Sequence, residues 1–196
     1  GDINDDEMLN VLDIVAMVNY ILEGQEAANF NECQVVAADY NQDDEVNVLD
    51  IVGAVTSILN PRTIADDANS AKLIRNGDAL NLKVDGFVSA VQMTLHHDAD
   101  FSIELTKDAM VADYRTGSNE TTLIIVVPES EELFTAIGDY EITEVLVANS
   151  EGEMDVAIAP AEFALGTAYP NPFNPTTQFK LDIAEDGYTT VNVYNL

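Results

Sequence analysis

Two stretches concentrate oxygen-bearing side chains at one fixed spacing: DINDDEMLNVLD from Asp2 and DYNQDDEVNVLD from Asp39. Counted from the first Asp of each, side-chain oxygens fall at positions 1, 3, 5, 9 and 12. These are Asp2, Asn4, Asp6, Asn10 and Asp13 in the first copy, and Asp39, Asn41, Asp43, Asn47 and Asp50 in the second. Position 7, Met8 and Glu45, offers a backbone carbonyl. Calcium takes six to eight hard oxygens at about 2.3–2.6 Å, and a 12-residue loop wraps them around the ion in this pattern. The spacing therefore predicts two Ca2+ sites, one ion in each loop. Two departures stand out. The glycine usual at position 6 is replaced by Glu7 and Asp44, which must make the sharp turn at a conformational cost. Position 12 is Asp rather than Glu, a shorter reach to the ion.

The elements that position these loops are legible as well. After each loop the apolar residues keep helical spacing: Ile14, Val15, Val18, Ile21 and Leu22, then Ile51, Val52, Val55, Ile58 and Leu59. That is the stripe of one buried helix face. Asp13 and Asp50 sit at the helix N-termini, where the helix dipole favours a carboxylate. Gly24 and the pair Asn60-Pro61 are the expected stops.

A calcium loop followed by its exiting helix, duplicated within residues 1–60, resembles the dockerin module. The resemblance implies a small calcium-folded docking unit whose partner is a cohesin module. It places the contact on loop positions 10 and 11, here Val11, Leu12, Val48 and Leu49. These apolar residues imply either a hydrophobic docking surface or a tuck into an intramolecular contact. The near-identity of the copies also permits two docking orientations related by a twofold rotation.

Residues 61–71 read as a polar linker, and residues 72–163 as an antiparallel β-sandwich. Asn76-Gly77 marks a type I′ hairpin between KLIR and DALNLKV, and AVQMTLHH, FSIELT, TTLIIVVP, YEITEVLVA and MDVAIA come after it as strands. Gly117, Gly138 and Gly152 fall in the intervening turns. The stretch VDGFVSAVQMTLHHDADFSIEL (84–105) resembles the early strands of a cohesin-type sandwich, a likeness that extends by strand pattern over 66–163. A docking module and a receptor-like sandwich on one chain imply head-to-tail joining into a filament. His96 and His97 are adjacent strand positions, so they point to opposite faces and read as surface or edge residues rather than a shared metal site. Cys33, the lone cysteine, reads as a small buried apolar residue.

The chain ends AYPNPFNPTTQFKLDIAEDGYTTVNVYNL. Three prolines give an extended, rigid lead-in to a strand over 178–183, and Gly187 turns the chain into a second strand over 190–194. YPNPFNPTT and the two strand segments after it resemble the C-terminal sorting domain of type IX secretion substrates, and the related immunoglobulin-like domain of hook-capping proteins. The family continues beyond YNL, so 164–196 reads as an incomplete immunoglobulin-like segment whose open edge suits inter-subunit β-strand pairing. With no initiator Met and no signal segment, the chain reads as a processed product or a piece of a longer one.

Composition narrows the function classes. Seven basic residues stand against 36 acidic ones, a formal charge of −29, while 47% of residues are hydrophobic, enough to build cores. Such a surface repels nucleic acid and anionic lipid, and attracts divalent cations. The longest apolar run is LIIVV at 123–127, far too short to span a membrane. No nucleophile elbow, HExxH or phosphate loop is present, and zero tryptophan argues against a sugar-stacking platform. The expected protein is a non-enzyme, multidomain, α then β. Its partner is a protein, either another copy of itself or a cohesin-like module, and the resemblances imply an extracellular or cell-surface bacterial location. The competing reading is the non-catalytic docking and sorting region of a larger secreted enzyme.

Overall fold

The computed structural model describes residues 1–59 and 66–159, and in the C-terminal part 164–165, 168, 172, 175–179, 181–182 and 188–192. Helices come first: α1 (Val11–Glu23), α2 (Gln25–Ala28), α3 (Glu32–Ala38) and α4 (Val48–Leu59). Asn10 caps α1. Its Oδ1 accepts from the Leu12 N–H at 2.8 Å, while the Asn10 N–H donates to Asp13 Oδ2 at 2.9 Å, so two orphan donors are satisfied reciprocally. Gly24, at φ 82°, ends α1 as expected. The Asn60-Pro61 stop lies outside the described residues.

Ile14, Val18 and Leu22 are buried together with Ile51 and Val55, which gives the helices a shared core. Val15, expected in that stripe, is exposed, whereas its counterpart Val52 is buried. Cys33 is exposed rather than buried. Helix α3 turns Gln34, Val35 and Ala38 inward, and Cys33 and Val36 fall on its opposite side.

The strands come next: β1 (Ala71–Asn76), β2 (Ala79–Val84), β3 (Ala90–His97), β4 (Ser102–Leu105) and β5 (Ala109–Thr116). Then come β6 (Glu120–Pro128), β7 (Glu132–Ile137), β8 (Tyr140–Ala148), β9 (Glu153–Met154) and β10 (Val156–Ala159). They form two five-stranded sheets in the orders β10-β1-β2-β7-β4 and β5-β6-β3-β8-β9. The pairing is antiparallel except for β1 with β10, which is parallel, so the first sheet is mixed. Strands β5 and β7 have no counterpart among the segments the sequence marks as strands. The first hairpin turns one residue later than Asn76-Gly77: Asn76 pairs with Ala79, and Gly77 takes φ 61° while Asp78 is not left-handed. Left-handed geometry at the first central residue alone is the type II′ pattern, not I′.

The second sheet is covered on both faces. Val91, Met93, Leu95, Leu123, Ile125 and Val147 point into the sandwich core against Leu73, Leu80, Leu82 and Phe134 of the first sheet. Ala90, Ile124, Val126 and Ala148, the alternate positions, join the helices in a separate buried cluster. The uninterrupted run LIIVV has its cause here. In an antiparallel sheet with one wet face, every second residue of that run would be polar.

His96 is exposed and His97, contrary to the surface reading, is buried. His97 Nε2 lies 2.9 Å from Thr121 Oγ1, and its ring stacks on Phe101 at 4.2 Å between centroids. Of the strand expected over 178–183, residues 178, 179, 181 and 182 are described, and β12 (Leu181–Asp182) pairs antiparallel with β11 (Ala164–Leu165). Of the strand expected over 190–194, residues 190–192 are described and form no strand. Most of the YPNPFNPTT motif lies outside the described residues.

Candidate metal centre and docking face

The backbone N–H bonds of the two loops repeat each other, and the loops differ in which Asn amide nitrogen donates. In the first, Asp2 Oδ1 and Oδ2 accept from the N–H groups of Asp6 (3.2 Å) and Glu7 (2.8 Å). In the second, Asp39 Oδ1 and Oδ2 accept from Asp43 (3.1 Å) and Asp44 (3.0 Å). Asn4 Oδ1 accepts from Asp6 N–H at 2.9 Å, as Asn41 Oδ1 does from Asp43 N–H at 2.9 Å. Asp6 Oδ1 takes Met8 N–H at 2.9 Å, and Asp43 Oδ1 takes Glu45 N–H at 3.0 Å. Backbone donors thus fix the position 1, 3 and 5 oxygens, leaving lone pairs on each.

The sharp turns are present where glycine is absent. Glu7 and Asp44 adopt φ 67° and 71°, the left-handed region, and so do Asp5 and Gln42 at φ 61° and 62°. Asp and Asn tolerate this region better than most residues, and an occupied αL position costs about 1–2 kcal/mol without glycine. Position 4 adds a second strained residue per loop, which spacing alone did not reveal.

Asp13 and Asp50 close the loops and are fully buried. Asp13 Oδ1 accepts from Ile3 N–H at 2.8 Å and Asn4 N–H at 3.4 Å, and its Oδ2 takes the Asn10 N–H. Asp50 repeats this with Tyr40 (2.8 Å), Asn41 (3.1 Å) and Asn47 (2.8 Å). The N–H donors compensate the hydration these carboxylates lose on burial. Asn10 and Asn47 spend their Oδ1 on the caps of α1 and α4, accepting from Leu12 and Leu49 N–H at 2.8 Å each.

The donor set fits a hard cation. Asn10 Nδ2 donates both to Asp6 Oδ2 at 3.3 Å and to the Met8 carbonyl at 3.2 Å, so an amide nitrogen bridges the oxygens of positions 5 and 7. In the second loop Asn41 Nδ2 approaches Asp43 Oδ2 at 2.8 Å. Oxygens gathered around so weak a positive group suit an ion in its place. Among the described residues no three His, Cys, Asp or Glu side chains converge tightly enough to hold a metal by themselves. The loops instead mix Asp with Asn amide and backbone oxygen, a donor set that suits calcium rather than zinc. The ion pairs Lys107–Glu104 and Arg115–Glu23 lie elsewhere.

The four apolar loop residues separate into two pairs. Val11 and Leu12 are 41% and 59% exposed; Val48 is 1% exposed and Leu49 half-buried. Val15 is also exposed, so Val11, Leu12 and Val15 form one apolar stripe on α1, and exposed Met8 lies in the loop just before it.

Comparison with known proteins bears on the first of the two parts. The family described as dockerin type I domain matches residues 1–53. No curated protein matches the chain. Among solved structures, the chain is similar to a non-cellulosomal cohesin from the hyperthermophilic archaeon Archaeoglobus fulgidus. That match has 14% sequence identity and a TM-score of 0.32, and it covers 48% of this chain and 86% of that one.

Proposed function

We propose that this chain is a non-catalytic assembly protein of the bacterial cell exterior, docking through an N-terminal module that folds on two calcium ions. The observation that carries this reading is the duplicated loop, with the same donor positions, left-handed turns and buried closing carboxylate in both copies. The first ion would be held by Asp2, Asn4, Asp6, the Met8 carbonyl and Asp13. The second would be held by Asp39, Asn41, Asp43, the Glu45 carbonyl and Asp50. Asn10 and Asn47, their carbonyl oxygens used as caps, would reach the ions through water. Calcium supplies the positive charge that offsets three carboxylates per loop, so ion binding stabilises the fold by linkage.

The units are a docking module (1–60), a linker (61–71), a sandwich (72–163) and a sorting-type segment (164–196). The partner is a protein, and a second copy of this chain is the preferred one, joined head to tail into extracellular filaments. Val11 and Leu12 offer the surface for it, with strand pairing at 190–194 as a further contact.

Sedimentation of the purified chain in millimolar calcium and again in chelator tests this. Large assemblies that need calcium are expected. A monomer in both conditions would overturn self-assembly and favour a docking region that serves a foreign partner, such as a larger secreted enzyme's tail. Assemblies that survive chelation would move the contact from the module to strand exchange.

A further inference from the structure

Each residue of the exposed stripe, and Met8 before it, has a counterpart 37 positions on: Met8 and Glu45, Val11 and Val48, Leu12 and Leu49, Val15 and Val52. The backbone bonds of the two loops repeat, so the repeats by themselves would expose both stripes to a similar degree. It does not. Leu12 and Val15 are 59% and 39% exposed, while Leu49 is half-buried and Val52 only 4% exposed. The difference must come from outside the repeat.

Outside the repeat lie α2, α3 and the second sheet, and the sheet adds the larger apolar face. Helix α4 packs against β3, and α1 packs against β5 and β6. The outward positions Ala90, Ile124, Val126 and Ala148 are buried with the helices in one cluster. Small residues at 90 and 148 let a helix approach closely, and β-branched ones at 124 and 126 fill the space beside it. The contact also carries polar groups of a kind found in separable interfaces. Gln92 occupies an outward register position on β3, and its buried Oε1 has no partner. Arg115 Nη1, on β5, donates to the carbonyls of Leu22 and Glu23 at 3.2 and 3.3 Å, and lies 3.4 Å from the Glu23 carboxylate. It thereby caps the negative end of α1.

We propose that the second repeat's apolar face is a docking face already engaged in cis by the outer face of the chain's own second sheet. This rests on reading residues 1–60 as a docking module. Leu59 and Ala71 are the nearest ends of the two parts, and so short a connection gives the contact an effective concentration on the order of millimolar. A partner from outside then meets one free stripe, Val11-Leu12-Val15 with Met8 just before it, in one orientation. Opening the cis contact releases both a docking face and a receptor sheet, which two copies can exchange.

The test cuts the connection in the full-length chain. A specific protease site is inserted after Pro61, the folded protein is cleaved in millimolar calcium, and the halves are followed by sedimentation at micromolar concentration. The halves are expected to stay together. Ala90→Arg with Ala148→Arg should separate them, and Leu12→Asp with Val15→Asp should not. Arg115→Ala, whose side chain is half-exposed and outside both cores, should raise the dissociation constant about tenfold. Separation of the unsubstituted halves, or release by the Leu12 and Val15 pair alone, overturns the proposal. Retention of the halves by Arg115→Ala at unchanged affinity, with the arginine pair equally silent, also overturns it. Chelator keeps the two readings apart. Helices that persist without calcium would remove the calcium module but leave the cis contact to be judged by the cut in calcium. Helices that melt, with halves that separate in calcium, would leave the module and remove the cis contact.

Discussion

The carboxylate of Asp13 accepts the backbone N–H of Ile3 at 2.8 Å, and so ties the last position of its loop to the first turn, ten residues earlier. Asp50 makes the same bond to Tyr40 at 2.8 Å. Both carboxylates also cap their helices from inside, so loop closure and helix initiation share one side chain. Asp13→Asn or Asp50→Asn leaves an amide where two acceptor oxygens are needed. Each should lower stability in calcium by about 1–3 kcal/mol. Urea unfolding followed by helical circular dichroism measures it, and an unchanged midpoint would remove the closing role.

Glu7 and Asp44 hold left-handed backbone with exposed side chains. Glu7→Gly with Asp44→Gly keeps their N–H bonds to Asp2 and Asp39 and relieves the αL cost, against the extra chain entropy of glycine. The pair should stabilise the calcium-loaded protein by up to about 1 kcal/mol per site. Destabilisation would mean that those side chains contribute to the ion's surroundings.

Leu12→Ser and Val48→Ser separate surface from core within the repeat. Val48 is enclosed, so its loss with a buried hydroxyl added should cost about 2 kcal/mol. Leu12 stands in solvent, and Leu12→Ser should stay within about 0.5 kcal/mol while weakening assembly. Thermal unfolding and sedimentation of the same two variants give both readouts, and equal destabilisation would contradict the asymmetry.

Tyr140 sits beside Phe101 and Phe134, with the Arg75 guanidinium 4.0 Å over its ring and its hydroxyl without a partner. Burial pushes its phenol pKa up, and the neighbouring Arg75 charge pulls it only part of the way back. A raised folded pKa gives stability that is fully present below the unfolded value near 10 and is lost as pH rises through the folded value. Tyr140→Phe removes that loss. Its alkaline unfolding midpoint should move upward, with little change at neutral pH; an identical alkaline limb would show that the phenol does not control it.

Some strands were legible and others not, for identifiable reasons. β3 and β8 span the segments expected, because their apolar positions are dense and bounded by turn residues. β7 escaped because Leu133 is an extra residue opposite the Leu80/Asn81 step, a bulge that puts Leu133 and Phe134 side by side in the core and breaks alternation. β5 is an edge strand whose second half is exposed and charged, so it lacks an apolar signature.

Much of what depends on residues within one loop or one helix turn was determined by the sequence alone, the left-handed position 4 and the turn of the first hairpin excepted. The donor spacing, the Gly24 stop, the left-handed turn at Glu7 and Asp44, and most of the paired helix stripes arise from residues within about a dozen positions. Which stripe is free was decided by the tertiary structure. Val11 and Val48 both stand in NVLDIV, and the elements packed around the two repeats distinguish them. LIIVV at 123–127 held the trace of that packing, since a strand apolar on both sides needs two covers, but not which element supplies the second. The exposure of Cys33 and the burial of His97 depart from the sequence reading for the same reason. They are set by the direction of a helix face and by a neighbouring strand's Thr121, neither of which local sequence contains.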